Sequence, residues 1–222
     1  MDNTRFEQIR IALFTAVIGD VLDAMGHRHQ FLPAGLRPLV PGTRIVGRAM
    51  PVLDVPALEG AGGPGLSDRP FGRMFEALDD LKEGEIYITT GTALNCALWG
   101  GLMSTRAQHL KAAGAILDGY VRDVAEIKDL GFPVFSRGAY AQDQGVRGKV
   151  IDYRMPLQIG AALVRDGDLI VADDEGVLII PQEVEDEAIE AAFAKAATES
   201  DVAKAIRNGM SSQEAFETFG VM

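Results

Sequence analysis

Three apolar runs at regular spacing limit this chain's fold more than any other feature: "EIYITT" (Glu85 to Thr90), "GAILDG" (Gly114 to Gly119) and "FPVFS" (Phe132 to Ser136). Segments of helical composition, Leu102–Ala113 and Asp123–Leu130, separate them. Strands alternating with helices make βαβ units, and their strands pair in parallel because each crossover returns the chain to the same end of the sheet. The runs are continuous rather than alternating, which suits strands covered on both faces. After Gly138 the texture changes. "GKVIDYRMPLQIGAALV" and "DLIVADDEGVLIIP" have the composition of antiparallel β structure, the second as a hairpin turning at "DDEG".

Helices flank this β-rich middle. Arg5 to Met25 has the pattern of two short helices, with Thr15 suited to cap the second and Gly26 to end it. "TRIVGRAMPVLDV" (Thr43 to Val55) is a β segment broken by Gly47 and Pro51, and "RMFEALDDL" is a helix closed by Gly84. Glu183 to Arg207 is helical in composition, and "SSQEAFETFG" is a last short helix begun by Ser211 or Ser212. The reading is one domain over residues 1–222: an α/β fold with a mixed sheet, helices packed on it, and a helical C-terminal tail suited to packing on a partner subunit.

At 222 residues, 47% hydrophobic and 24% charged, the chain can bury a substantial core. A net charge of -11 leaves no basic face for nucleic acid. A single cysteine, Cys96, cannot form an intramolecular disulfide or a CxxC zinc site. No apolar run approaches the roughly 20 residues that span a bilayer, and the first residues are not those of a signal peptide. A cytosolic setting is the simplest reading.

Several motifs fail on context. Gly60 to Gly65 matches the letters G-x-G-x-x-G, yet Pro56 and Glu59 part it from the preceding strand and Pro64 sits inside it, so it reads as a loop. His27 and His29 are two potential ligands without a third nearby. Asp173, Asp174 and Glu175 read as acids in a hairpin turn, since Gly176 follows at once and breaks the EF-hand pattern.

Two features carry more. Gly100 and Gly101 precede a helix, "LMSTRAQHLKAAG": either a tight strand–helix turn, or exposed amides ready for a carboxylate or phosphate. Arg122 and Asp123 follow a short strand at the end where open α/β sheets bind ligands. Asp123 followed by Glu126 also has the spacing of a helix N-cap with its N3 partner. One carboxylate can serve both roles.

Taken together, "WGGLMSTRA", "GAILDGYVRDVAEI" and "GFPVFSRG" resemble the RraA-like family, which includes class II 4-hydroxy-4-methyl-2-oxoglutarate aldolases and the RraA regulators of ribonuclease E. "TAVIGDVLDAMG", "GDLIVADDEGVLIIP" and "TESDVAKAIRNG" extend the likeness over nearly the whole chain. The resemblance implies an α-β-β-α sandwich like a swivelling domain, assembled as a trimer or a hexamer of two trimers. It implies a divalent-metal-dependent lyase, an aldolase or decarboxylase, acting on a small 2-oxo acid and releasing pyruvate. In that scheme Arg122 contacts the pyruvyl keto oxygen and Asp123 binds Mg²⁺ or Mn²⁺. Leu102 and Met103, after Gly100 and Gly101, hold the pyruvyl carboxylate through their amides, and Glu199 reaches the site from an adjacent subunit's tail. Characterised aldolases carry an acid where Gly101 stands, which leaves the enolate site intact here and the proton transfer open. The alternative that the resemblance implies is a non-catalytic regulator binding ribonuclease E or another protein. A further one is a hydratase or epimerase on the same scaffold.

Overall fold

The computed structural model describes residues 3–57, 70–91 and 94–221. The G-x-G-x-x-G letters at 60–65, and most of the glycine-rich loop around them, lie outside the described residues. The chain opens with α1 (Asn3–Ala12) and α2 (Thr15–Ala24), then β1 (Arg37–Pro38) and the long β2 (Ile45–Pro56). Next come α3 (Met74–Asp79), β3 (Glu85–Thr89), β4 (Ala97–Trp99), α4 (Gly101–His109) and β5 (Gly114–Leu117). β6 (Tyr120–Val121), α5 (Val124–Leu130) and β7 (Val134–Ser136) complete the alternating part. The remainder is β8 (Gly148–Tyr153), β9 (Leu157–Ile159), β10 (Ala162–Val164), β11 (Leu169–Asp173), β12 (Gly176–Ile180), α6 (Glu185–Arg207) and α7 (Ser212–Phe219).

One eight-stranded sheet runs β1-β7-β5-β3-β2-β11-β12, with β8 also paired to β2. As the apolar runs predict, β2, β3, β5 and β7 are parallel neighbours. The later strands are antiparallel, β11 and β8 against β2 and β12 against β11. β9 and β10 form a separate hairpin.

β2 is continuous rather than broken at Gly47 and Pro51. Along one edge, its residues 45–48 pair with β11 and its residues 52–56 with β8. The N–H of Ala49 donates to Asp168 on this edge, so two residues later Pro51, which has no N–H, falls in the gap between the two partners. At Gly47 a Cβ would lie 2.6 Å from the Gly84 carbonyl oxygen, so the missing side chain admits the turn before β3.

Among the described residues, the two-residue period of the strands sorts their side chains into three large cores, beside a small cluster of Leu94, Cys96 and Leu98. Ile86, Ile88, Ile116, Phe135, Ile170 and Ile179 point into the curl of the sheet, where the β9–β10 hairpin adds Leu157, Ile159, Ala162 and Val164. Tyr87, Ala115, Leu117 and Val134 point the other way, under α3, α4 and α5. Leu169, Val171, Leu178 and Ile180 meet α1, α2 and the first half of α6 through Ile9, Ile18, Leu22, Ala188 and Ile189. Helices therefore cover both outer faces of a curled mixed sheet, the α-β-β-α arrangement with a helical tail. The first half of that tail packs on its own chain. α7 is begun by Ser211, whose hydroxyl accepts from the Glu214 N–H, and docks on α6. Among the described residues no helix is long and apolar enough to cross a membrane.

One cap is not where the sequence put it. Phe14 holds the N-cap position of α2 and Thr15 caps nothing. Instead, the Asp173 carboxylate accepts from the Thr15 N–H at 2.8 Å and from its hydroxyl at 2.8 Å. Asp173 also turns its own hairpin by accepting from the Glu175 N–H at 2.9 Å. A residue of the β11–β12 turn thus fixes the start of α2, and it does so buried. Asp173→Ala strands buried donors and is expected to cost about 2 kcal/mol or more of stability in urea unfolding, with an unchanged m value.

Candidate active site

β4 and β6 form a short parallel ladder, Ala97 beside Tyr120 and Trp99 beside Val121. Each strand runs at once into a helix, β4 through Gly100 into α4 and β6 through Arg122 and Asp123 into α5. Two helix N-termini therefore lie side by side at carboxyl ends of strands, where ligand sites form in α/β sheets. The Arg122 N–H donates to the Trp99 carbonyl at 3.0 Å and holds the two junctions together.

Asp123 stands at the N-cap position of α5 with φ 57° and ψ 39°, the left-handed region. For a residue other than glycine this costs on the order of 1–3 kcal/mol and marks a position that the surroundings over-determine. Its side chain does not cap α5, contrary to what its spacing from Glu126 predicts. The backbone turn aims the carboxylate across the ladder, where Oδ2 accepts the Gly101 N–H at 2.9 Å. Asp123 thus serves the start of α4 from the start of α5.

The glycine pair is explained by the carboxylates around it. A Cβ on Gly100 would sit 2.6 Å from Asp123 Oδ2. A Cβ on Gly101 would sit 2.3 Å from Glu126 Oε2 and 2.5 Å from its Cδ. The family resemblance puts an acid at position 101; in this chain Glu126 brings a carboxylate to that space from the first turn of α5. From its spacing alone, Glu126 is only a capping partner of Asp123. The signal that could have found it is its placement three residues after Asp123, which puts the two on neighbouring positions of one helix face.

Arg122 is oriented by acids on two sides. One terminal nitrogen lies 2.9 Å from Asp143 Oδ1, and Nε lies 3.8 Å from Asp123 Oδ2. Asp143, also absent from the sequence reading, precedes β8. Arg122, Asp123, Asp143, Gly100, Leu102 and Met103 line a cleft of about 210 Å³, whose far wall is apolar through Phe71, Met74 and Phe75. Leu102 and Met103 fall in the first turn of α4, where amides have no intrahelical acceptor and the helix dipole favours an anion. Cys96 is buried, and burial pushes its thiol upward, away from the thiolate.

Glu199 is not brought to this cleft by its own chain. It lies on α6, paired with Lys195 at 2.7 Å, and Lys195 also reaches Asp20 of α2 at 3.3 Å. Among the described residues no three His, Cys, Asp or Glu side chains cluster as a metal cage, and His27 and His29 gather no further ligand. The donors at the cleft are carboxylate oxygens, and the space beside Gly100 and Gly101 is open to them. That set fits a hard cation such as Mg²⁺, which keeps most of its waters and needs few protein ligands.

The sequence model of the RraA-like family, described as Aldolase/RraA, matches residues 15–179. The chain belongs to the RraA-like family. The matched region holds the whole cleft described above and excludes Glu199. Protein DlpA of Legionella pneumophila is 31% identical over 92% of this chain, which spans only 32% of that relative's length. A Halalkalibacterium halodurans protein, provisionally named a 4-hydroxy-4-methyl-2-oxoglutarate aldolase, is 28% identical over 91% of this chain and 89% of its own. An uncharacterised protein of Pseudomonas syringae pv. tomato superposes with a TM-score of 0.80 at 26% identity, covering 97% of this chain and 98% of that one. Streptomyces coelicolor RraAS2, an unusual member of the RNase ES inhibitor RraA family, shares the fold with a TM-score of 0.78 at 21% identity over 90% of this chain and 96% of its own.

Next to this RraA-like cleft, Asp54 of β2 is buried, and one of its oxygens, Oδ1, has no hydrogen-bond partner among the described residues. Burial pushes its carboxyl up to about 7, against the opposing hydrogen bond from Gln144. A folded value above the ordinary one means stability that is complete at low pH and is lost as pH rises through about 7. Asp54→Asn carries no such charge, so its melting temperature relative to wild type is expected to rise progressively between about pH 4 and pH 7 and then level off in paired thermal melts.

Proposed function

We propose that the protein is a divalent-metal-dependent carbon–carbon lyase that releases pyruvate from a 2-oxo acid, by aldol cleavage or decarboxylation. The observation that carries this reading is the convergence of Arg122, Asp123 and Glu126 on the Gly100–Gly101 turn, beside the first amides of α4. The aldolase name borne by relatives supports it. The reading includes a cytoplasmic setting and a homotrimer or hexamer, in which the Glu199 of an adjacent copy reaches the cleft.

In this scheme the pyruvyl carboxylate binds at the N-terminus of α4, on the Leu102 and Met103 amides. Arg122 donates to the keto oxygen with a charge that no ordinary pH removes. Asp123, with Glu126 beside it, would hold Mg²⁺ or Mn²⁺, and the ion when bound supplies Lewis-acid polarisation at that oxygen. As the bond between C3 and C4 breaks, its electron pair passes into an enolate over C3, C2 and the oxygen facing Arg122. In aldol cleavage the C4 hydroxyl loses its proton as the distal fragment becomes a carbonyl compound, and C3 gains a proton to give pyruvate. The Glu126 carboxylate takes the first proton and serves the second transfer, from the space where the family pattern puts an acid at 101. Decarboxylation of oxaloacetate loses CO₂ from C4, has no hydroxyl proton to remove, and needs only protonation at C3.

The regulator reading draws on the family itself, whose description covers both aldolases and RraA, and on likeness of fold to RraAS2. The Arg122–Asp123 pair does not by itself separate the two readings; the aldolase name borne by relatives and the Glu126 carboxylate in the space beside Gly101 favour catalysis.

Pyruvate release is to be followed from 4-hydroxy-4-methyl-2-oxoglutarate and from oxaloacetate, with Mg²⁺ and with chelator. Asp123→Asn and chelation are each expected to abolish both activities, and a rate indifferent to both would refute the lyase reading. Glu126→Ala is expected to slow aldol cleavage by about 10²-fold or more and decarboxylation by less. Adding Gly101→Asp to that variant restores cleavage, since the new carboxylate enters the space that Glu126 left.

A further inference from the structure

The acid that holds Arg122 is itself held from below. Asp143 and Gln144 are consecutive residues with opposite destinations: Asp143 Oδ1 meets the Arg122 guanidinium, while Gln144 turns inward and is 2% exposed. The Gln144 amide donates to Asp54 Oδ2 at 2.6 Å, reaching from the cleft wall to the middle of the sheet. The Gln144 carbonyl accepts the N–H groups of Arg147 and Gly148, at 2.6 and 2.9 Å, which closes a tight turn. Within it Asp143 Oδ2 accepts the Gly145 N–H at 2.9 Å, and Arg147 donates to the Asp143 carbonyl at 3.0 Å. Asp54 has the same parity along β2 as Met50 and Val52, which face the core under the cleft. Opposite it the pairing with β8 slips, Leu53 meeting Asp152 and Asp54 meeting Val150, so Ile151 bulges out. Bulges of this kind re-aim side chains and gather near functional sites.

We propose that Asp54 and Gln144 are positioning residues for Arg122, their hydrogen bond anchoring the 143–148 turn to β2 and thereby setting where Asp143 holds the guanidinium. For folding alone an apolar pair of equal volume would serve better, because a half-satisfied buried polar pair is costly and Asp54 Oδ1 has no partner among the described residues. The polar pair adds direction. The Gln144 amide is held only where Asp54 accepts, and its neighbour Asp143 is placed with it. The guanidinium is otherwise on a long, partly exposed side chain with ample rotamer freedom. Its catalytic consequence rests on the lyase reading, whereas the effect on Arg122 does not.

The test reads Arg122 directly, through its ¹Hε–¹⁵Nε resonance in metal-free protein, and then through the affinity for pyruvate with Mg²⁺. Gln144→Met and Asp54→Leu are expected to move or broaden the Arg122 signal and weaken pyruvate binding by about tenfold. Asp54→Asn, whose side-chain oxygen still accepts from Gln144, is expected to leave both close to wild type. That rescue separates positioning from folding, and should Gln144→Met not fold, the Asp54→Leu and Asp54→Asn pair decides alone. An Arg122 signal unmoved in both folded disrupting variants, or moved as far by Asp54→Asn as by Asp54→Leu, overturns the proposal. A wild type that binds no pyruvate, with Arg122 still responding as described, refutes the lyase reading and leaves the positioning role standing.

Discussion

Everything in this molecule is arranged around both edges of β2. On one edge β3 joins in parallel through residues 48–52; on the other, β11 and β8 share the strand end to end in antiparallel register. A strand twelve residues long is needed because it has three partners, and its peculiar residues follow from that. Gly47 admits the carbonyl of the turn before β3, Pro51 occupies the place between two partners where no donor is called for, and Asp54 faces the slip in the β8 ladder. The alternating first part of the chain and the antiparallel second part are thereby one sheet, with helices on both outer faces.

That construction explains why the cleft lies where it does. The small β4–β6 ladder stands apart from the main sheet, and its two strands release α4 and α5 from adjacent points. Two helix starts side by side give exposed amides, and a left-handed residue at one of them turns a carboxylate toward the other. Asp123 does this at an energetic cost that nothing in the local α5 geometry repays, since it caps nothing there. The return is an acid fixed beside Arg122 and against Gly100. Glycines at 100 and 101 are then a steric requirement of the acids around them.

Much of this was legible from residues alone. The spacing of Ile86, Ile116 and Phe135 in three apolar runs implied parallel strands, and "DDEG" implied the β11–β12 hairpin. Arg122, Asp123 and the glycine pair stood out because charged and side-chain-free residues at strand–helix junctions have few other uses. Glu126 was visible only as a capping partner, because one spacing describes an N3 acid and a carboxylate aimed at another helix equally well. Asp143, Gln144 and Asp54 gave no signal at all. They are separated by up to ninety positions and meet only through the folded sheet.

The sequence by itself determined the order of strands and helices, the pairing sense of the central strands, and which short segments carry chemistry. These follow from periodicity and from local backbone preference, both encoded within a few residues. Tertiary structure decided which side chains face one another: Asp173 capping α2 from across the chain, Asp123 serving α4 instead of α5, Glu126 filling the space beside Gly101. A carboxylate's role depends on the donors within about 3 Å of it, and which donors those are is set by packing between elements far apart in sequence.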